Sequence, residues 1–239
     1  MVTTLDLEAY ILCGGLGTRL RSQVSDRPKV LAPIQGRPFL EILVEHLCRQ
    51  GVNRFVLCAG YRGEMIQAAI PKLRKGCEVR LSLEDRPLGT GGALRHALAP
   101  DSSDLILALN GDSICPVDLS AMLAKHSETG AMLTLALVRA EKAADYGSVR
   151  LASDGWIESF AEKATEGTAI VNAGVYLIDA PFFRARAPQG RFSLETDLFP
   201  TLATEHRIQS FVHDGAFLDI GTPERYRDAA QCLRDLGLV

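Results

Sequence analysis

The chain carries a glycine-rich loop directly after a short apolar, strand-like run at residues 9–13. The loop contains Gly14, Gly15 and Gly17, and the basic residues that follow are Arg19, Arg21, Arg27 and Lys29. Glycine lets the backbone turn tightly and bring its N–H groups close to anionic oxygens, while arginine and lysine neutralise a polyphosphate. The segment therefore predicts a nucleoside triphosphate site at the end of a strand.

The spacing of this loop excludes two common phosphate-binding motifs. A Walker A loop requires Gly-Lys-Ser/Thr after four intervening residues, but Thr18-Arg19-Leu20 follows the last glycine. The dinucleotide-binding fingerprint requires a third glycine where Leu20 stands. We therefore expect neither a P-loop nucleotidase nor a hydride-transfer Rossmann enzyme.

The first half of the chain alternates strand-like runs with helical patterns. The strand-like runs are residues 9–13, 54–59, 78–83 and 105–109. Apolar residues at helical spacing from Leu40 to Leu47 predict one helix that ends before Gly51, and residues 91–99 predict another. This order predicts a parallel sheet with helices on both faces, and ligands at the carboxyl ends of its strands.

The pattern changes after Asp112. A helix is predicted at residues 119–129, strands at 132–139, 148–151, 156–161 and 169–178, and a final helix from 223 to about 236. Asp154-Gly155 predicts a hairpin turn, Thr222 a helix cap and Gly237 a helix end. We interpret this half as an antiparallel extension of one continuous domain.

The composition excludes several classes of function. The net charge is −3 and the basic residues are scattered outside the glycine loop, which argues against nucleic-acid or membrane-surface binding. The six cysteines form no Cys-x-x-Cys pair and are expected to be reduced core residues. No apolar run has the length of a signal peptide or membrane span, so we expect a cytoplasmic protein.

Short motifs in order along nearly the whole chain resemble the sugar-1-phosphate nucleotidyltransferases, or nucleotide-sugar pyrophosphorylases. The specific part is Gly14-Gly15-Leu16-Gly17-Thr18-Arg19-Leu20, followed by Pro28-Lys29; the later motifs are Leu88-Gly89-Thr90-Gly91-Gly92, Asn110-Gly111-Asp112, Tyr146-Gly147, Glu162-Lys163, Asn172-Ala173-Gly174 and Asp219-Ile220-Gly221. The resemblance implies a three-layer α/β/α, Rossmann-like fold with a mixed, mainly parallel sheet and an antiparallel extension. It also implies a single domain of residues 1–239, with a nucleotide half to about 112 and a sugar-phosphate half beyond.

In the reaction of this family, an oxygen of a sugar 1-phosphate attacks the α-phosphorus of a nucleoside triphosphate and expels pyrophosphate. The nucleophile is mostly dianionic at neutral pH, because the second pKa of a phosphate monoester is about 6. Cations are therefore needed more than a general base. We expect Arg19 to bind the β- and γ-phosphates and Lys29 the α-phosphate or pyrophosphate. Arg21-Ser22-Gln23 departs from the family pattern, which leaves the roles of residues 21–27 open.

The resemblance implies Mg²⁺ as the cofactor, held by Asp112 and Asp219. Mg²⁺ prefers oxygen ligands and is usually bound by one or two carboxylates together with substrate phosphates. The nucleotide-binding residues expected from the same motifs are Leu12, Gly14, Gly15, Gly17, Thr18, Arg19, Gly89, Thr90, Gly91, Asn110 and Asp112.

Glu84 bears on the choice of base, which is expected to lie along backbone groups of residues 88–92. A carboxylate can accept hydrogen bonds from both N1–H and the 2-amino group of guanine, whereas adenine offers no such pair. Uracil and thymine still offer one N–H. Glu84 therefore favours GTP without excluding UTP or dTTP.

For the sugar phosphate, the resemblance implies contacts from Tyr146, Gly147, Glu162, Lys163, Asn172 and Glu195, with Lys163 also catalytic because it offsets repulsion between the two anions. Thr196 stands where many members have lysine. The partners expected are a nucleoside triphosphate and a sugar 1-phosphate, with a homo-oligomer left open.

The segments LCGGLGTRLRSQVSDRPKVLAPIQGRPFLE, EDRPLGTGGAL and NAGVYLI resemble the heptose-1-phosphate guanylyltransferases, which supply GDP-heptose for lipopolysaccharide, capsule and other surface glycans. A mannose-1-phosphate guanylyltransferase and a uridylyl- or thymidylyltransferase stay open as alternatives. An inactive regulatory subunit is the alternative from another class, and retention of Arg19, Lys29, Asp112 and Asp219 argues against it. Glu84 and the 88–92 loop argue against transfer of CMP to a polyol phosphate.

Overall fold

The computed structural model describes residues 5–15, 17–20, 22–73, 76–140, 147–161 and 169–239. The helices are α1 Phe39–Arg49, α2 Gly63–Leu73, α3 Gly89–Ala97, α4 Leu119–Thr129, α5 Ala180–Arg186, α6 Phe199–Thr204 and α7 Pro223–Asp235. The strands are β1 Glu8–Leu12, β2 Pro33–Ile34, β3 Arg37–Pro38, β4 Arg54–Ala59, β5 Glu78–Leu83, β6 Leu105–Asn110, β7 Ser113–Ile114, β8 Leu133–Ala140, β9 Ser148–Leu151, β10 Ile157–Ala161, β11 Ala169–Asp179, β12 Ile208–His213 and β13 Leu218–Asp219.

One nine-stranded sheet runs through both halves of the chain. Its order is β10-β9-β11-β6-β1-β4-β5, with β8 beside β11 and β12 beside β8. Among the strands described in this sheet, β10 and β11 run against the direction of the others. The sheet is therefore mixed and mainly parallel, with the antiparallel pairs gathered around β11, as the sequence predicts.

The central strands are buried on both faces, as parallel strands covered by helices must be. Along β1, Ala9 and Ile11 pack into one core and Tyr10 into the other. Side chains of α1, α2, α4 and α7 join the first core, and those of α3, α5 and α6 join the second. The three-layer α/β/α architecture expected from the sequence is confirmed.

Every helix and strand bounded from the sequence agrees with the structure to within two residues at each end. The turn at Asp154-Gly155 is confirmed, since Gly155 has a φ of +84° and its N–H donates to Ala152 O at 3.0 Å. The cap of α7 is confirmed as well, because the Thr222 hydroxyl accepts from Arg225 N at 3.3 Å.

The sequence pattern does not identify β12, α5, α6 or the two-residue strands β2, β3, β7 and β13, and it implied α2 only by the alternation of strands and helices. Helices α5 and α6 have seven and six residues, too few for apolar spacing to distinguish a helix from a loop. They carry the chain from β11 back to β12, which pairs in parallel with β8. The second half is therefore not purely antiparallel.

All six cysteines are free, and three of them, Cys13, Cys58 and Cys115, are buried. Burial raises the pKa of the Cys58 and Cys115 thiols to about 12, so both are protonated at neutral pH. The other three, Cys48, Cys77 and Cys232, are partly buried and pack against the first core. Within the described parts of the chain, no helix is long and apolar enough to cross a bilayer.

Helix α3 begins against the loop at residues 190–192. The N–H groups of Gly91 and Gly92 donate to Phe192 O at 3.1 and 3.2 Å, and Phe192 N donates to Leu88 O at 2.9 Å. A Cβ atom at Gly91 would lie 2.1 Å from Cε2 of the buried Phe192 ring. These glycines therefore allow α3 to pack directly on this loop.

We predict that Gly91→Ala lowers the free energy of unfolding by about 1–3 kcal/mol, because the added methyl displaces a ring that is held in the core. Gly15→Ala is the matched control, since a Cβ there meets nothing within 4 Å. Urea unfolding of the two variants measures the difference. Equal stabilities would contradict the packing role of Gly91.

Candidate active site

A cleft of about 620 Å³ opens where β1, β5 and β6 end. The predicted site residues that line it are Leu12, Gly14, Gly15, Gly17, Arg19, Lys29, Glu84, Gly89, Thr90, Asn110, Asp112, Gly147, Asn172 and Glu195. Residues far apart in sequence meet there because parallel strands end at one edge of the sheet. Thr18, Gly91 and Asp219 are not among the lining residues.

The glycine loop is anchored at both ends. At its start, Cys13 N donates to Cys58 O at 2.7 Å. At its end, Gly17 has a φ of +58° and leads into a turn at Thr18–Leu20 in which Leu20 is 1% exposed. Leu20 thus stands where a dinucleotide loop would have glycine because it is a core anchor. The exposed Arg19 beside it lines the cleft.

Lys29 and Asp112 form an ion pair at the base of the cleft. Lys29 lies in a 3₁₀ turn, Lys29–Leu31, whose other residues are buried, and Asp112 follows β6. Their side chains are 14% and 33% exposed, so a bound anion can reach both. The proximity of this pair is a contact that the sequence did not predict.

Asp219 is brought to Asp112 by two short antiparallel strands. In the pairing of β13 with β7, Asp219 lies opposite Ser113, and Ile220 N donates to the carbonyl of Asp112 at 2.9 Å. The Asp219 carboxylate accepts from Gly221 N at 2.8 Å. The guanidinium of Arg19 is also close, since its Nη2 lies 3.6 Å from the position of a Cβ on Gly221.

The Asn-Ala-Gly motif forms an irregularity in β11 at the cleft. The register of β11 with β8 shifts between Asn172 and Tyr176. Gly174 has a φ of +72°, and its N–H donates to Asn172 Oδ1 at 2.9 Å. A Cβ at Gly174 would lie 2.5 Å from Asn110 Nδ2, so glycine lets β11 approach the end of β6. The bulge places Asn172 on the wall of the cleft.

Glu84 packs closely against two glycine backbones. A Cβ on Gly14 would lie 2.9 Å, and one on Gly60 2.3 Å, from its Oε1. Its Oε2 accepts from Leu88 N at 3.1 Å. Burial raises the pKa of the Glu84 carboxyl above its usual value, and the Leu88 N–H and nearby His96 partly oppose that rise. Glu84 therefore joins the glycine loop to the segment that precedes α3.

The base was expected to lie near the Leu88–Gly92 segment and to bond to its backbone N–H and C=O groups. The structure limits this expectation, because the Gly91 and Gly92 N–H groups donate to Phe192 O. Of the residues from Leu88 to Gly92, Gly89 and Thr90 line the cleft. They form the first turn of α3, where N–H groups have no partner within a helix.

Glu195 is held by hydroxyl donors. Its Oε2 accepts from Thr90 Oγ1 at 2.7 Å and Ser193 Oγ at 2.8 Å, and its Oε1 accepts from Tyr176 OH at 3.3 Å. Asn172 Nδ2 donates to the same Tyr176 oxygen at 2.9 Å. Burial raises the pKa of the Tyr176 hydroxyl, so it stays protonated as a donor. This network links Asn172 and Glu195, two of the six predicted sugar-phosphate contacts, to Thr90 of α3.

Three predicted sugar-phosphate residues, Tyr146, Glu162 and Lys163, lie outside the described residues, as does Arg21.

Two arginines at the site were missed by sequence reasoning. Arg191 lines the cleft, and Arg225 donates to both carboxylate oxygens of Asp219. No motif marks Arg191, whereas the position of Arg225 in the first turns of a helix that starts just after Asp219 was a usable signal.

Comparison with known proteins matches residues 8–235 to the nucleotidyl transferase family model. Over 228 residues, 95% of this chain and 99% of the other, the chain is 36% identical to a D-glycero-α-D-manno-heptose 1-phosphate guanylyltransferase of Aneurinibacillus thermoaerophilus. It is also 36% identical over 220 residues, 92% and 97% of the two chains, to a Campylobacter jejuni protein of the same name. A crystal structure of HddC from Yersinia pseudotuberculosis complexed with GMP-PN superimposes with a TM-score of 0.82 at 32% identity, covering 94% of this chain and 98% of that one.

We predict a pH-dependent gain in stability for Glu84→Gln. The pKa of Glu84 is raised in the folded protein, so folding favours the protonated form and stability falls as pH rises above the ordinary value of 4.5. The neutral variant avoids that loss. Its advantage over wild type in urea unfolding should be largest at about pH 7–8 and should shrink toward about pH 5. Glu78→Gln, at the exposed start of β5, is the matched control, and a pH-independent difference would contradict the assignment.

Proposed function

This chain belongs to the nucleotidyl transferase family, and we propose that it joins GMP from GTP to D-glycero-α-D-manno-heptose 1-phosphate, releasing pyrophosphate. It is a sugar-1-phosphate nucleotidyltransferase. The guanine base and the heptose are the finer parts of the proposal. They are supported by the names of the two relatives and by the GMP-PN complex of HddC.

The observation that carries the proposal is that one cleft holds the glycine loop, Glu84 and the Lys29–Asp112 pair together. A triphosphate along the glycine loop would have its base near Glu84 and its α-phosphate near Lys29. Guanine would present its N1–H and 2-amino group to the carboxylate of Glu84. The Glu84 Oε2 that accepts from Leu88 N keeps a second lone pair, so this contact does not consume its capacity to bind the base.

The chain itself would contribute positively charged side chains to the reaction and would hold the two substrates in position. The heptose 1-phosphate oxygen forms a bond to the α-phosphorus of GTP while the bond to the β-phosphate oxygen breaks, and pyrophosphate leaves with that electron pair. Arg19 and Lys29 would offset the charge of the phosphates as they approach. Lys163 would do so for the incoming sugar phosphate, on the strength of its motif.

Asp112 and Asp219 fit a divalent cation that prefers oxygen ligands, and we assign them Mg²⁺. Their backbones are joined through Ile220 N and Asp112 O, so the two carboxylates start from adjacent points. No group of three or more His, Cys, Asp or Glu side chains suited to a metal occurs among the described residues. Two carboxylates completed by substrate phosphates is a usual Mg²⁺ arrangement. When bound, Mg²⁺ would supply positive charge to the phosphates in the transition state.

Glu195 and Asn172 would bind hydroxyl groups of the sugar. Their mutual link through Tyr176 fixes their orientation before substrate arrives. A mannose 1-phosphate would present a shorter hydroxyl-bearing chain to the same wall, which makes it the alternative substrate to compare.

We predict that pyrophosphate release with heptose 1-phosphate shows a kcat/KM for GTP at least about 10-fold above that for ATP, with ITP between them. With ATP, the Glu84 carboxylate would face a hydrogen-bond acceptor of adenine. The base of ITP keeps the N1–H donor of guanine but lacks its 2-amino donor. UTP and mannose 1-phosphate complete the panel. A preference for UTP would overturn the guanylyl assignment, and equal use of mannose 1-phosphate would overturn the heptose assignment.

We predict that Arg19→Lys lowers kcat with GTP by about 10-fold or more, because a lysine keeps the charge but loses the fork that binds two phosphate oxygens. Arg186→Lys is the matched control, since Arg186 pairs with Glu205 on the surface. Steady-state kinetics of both variants provides the measurement. Wild-type turnover of Arg19→Lys would place the triphosphate elsewhere.

A further inference from the structure

Each carboxylate assigned to the metal is already paired with a basic side chain. Arg225 Nη1 donates to Asp219 Oδ1 at 3.2 Å and to Oδ2 at 3.1 Å. The Arg225 and Asp219 side chains are 22% and 12% exposed, so solvent screens this pair only in part. Lys29 Nζ donates to one oxygen of Asp112, Oδ2. Each of the two carboxylates therefore has a basic side chain beside it.

The charges around the pair add to this balance. The Arg19 guanidinium lies beside Gly221, close to the Asp219 carboxylate. A free divalent cation that approached Asp219 would meet Arg225 and Arg19 at short range, and would have to share a carboxylate that already accepts from Gly221 N. Like charges at such distances in a half-buried site repel strongly. A polyphosphate changes the balance, because it brings several negative charges at once.

We propose that Arg225 is an internal counter-ion of Asp219 that keeps divalent-cation affinity low until a nucleoside triphosphate is bound. This rests on the proposed metal role of Asp112 and Asp219. Arg225 acts through Asp219 and is a positioning residue. Its position on α7 keeps it attached to a rigid element that begins directly after the Asp219 loop. The cation and the triphosphate then enter together, and the carboxylate is held in place before either arrives.

The test is Mn²⁺ binding to the nucleotide-free protein, followed by the loss of the free Mn²⁺ signal in electron paramagnetic resonance. Arg225→Gln should bind Mn²⁺ at least about 10-fold more tightly than wild type, because the repelling charge is gone and the Asp219 carboxylate no longer accepts from this guanidinium. Arg227→Gln is the matched control. It removes the same charge two residues along α7, where the side chain bonds Pro223 O and is exposed, and its Mn²⁺ affinity should equal that of wild type.

Two further measurements separate this role from others. With GTP bound, the gap between wild type and Arg225→Gln should narrow, since the phosphates supply the charge that Arg225 opposes. The double variant Asp219→Asn/Arg225→Gln should lose the gain altogether. Circular dichroism checks the fold of each variant. If Arg225→Gln does not fold, Arg225→Lys replaces it in the same assay. This variant loses the shared contact to both Asp219 oxygens and should show a smaller gain in Mn²⁺ affinity.

Unchanged or weaker Mn²⁺ binding by Arg225→Gln would overturn the proposal, as would an equal gain in Arg227→Gln. The assay uses no sugar phosphate and no turnover. Failure of the heptose or guanine assignment would therefore leave its result intact, and failure of this proposal would leave the transferase reaction standing.

Discussion

The site depends on the pairing of two short strands, β7 and β13. Asp112 follows β6 of the central sheet, whereas Asp219 comes from the last part of the chain. The hydrogen bond from Ile220 N to Asp112 O holds the two backbones together. Through this contact, two carboxylates from distant parts of the sequence start from neighbouring points of the backbone. In the absence of substrate, each of these two carboxylates lies against a basic side chain, in the pairs Lys29–Asp112 and Arg225–Asp219.

Glycines let the other elements approach this point. Gly14 and Gly60 leave room for Glu84, Gly174 leaves room for Asn110, and Gly91 leaves room for Phe192. In each case a Cβ would lie closer than 3 Å to a neighbouring atom. The cleft is therefore lined by groups that these close backbone contacts position.

The sequence predicted the longer strands other than β12 and the helices α1, α3, α4 and α7 well, because apolar periodicity and turn residues determine them locally. It identified fourteen residues that line the cleft, most of them through motifs that resemble those of the nucleotidyltransferase family. It could not distinguish a glycine that approaches a ligand from one that packs against protein, which is why Gly91 was expected at the base but lies against Phe192. It also did not identify Arg225, although the position of this residue in the first turns of the helix after Asp219 offered a signal.

The most direct test of this account is anomalous diffraction from crystals that contain Mn²⁺ and a non-hydrolysable GTP analogue. The account predicts one Mn²⁺ contacting both Asp112 and Asp219, phosphates along the glycine loop, and guanine hydrogen-bonded to Glu84. A nucleotide bound outside this cleft, or Mn²⁺ bound without contact to either aspartate, would contradict it.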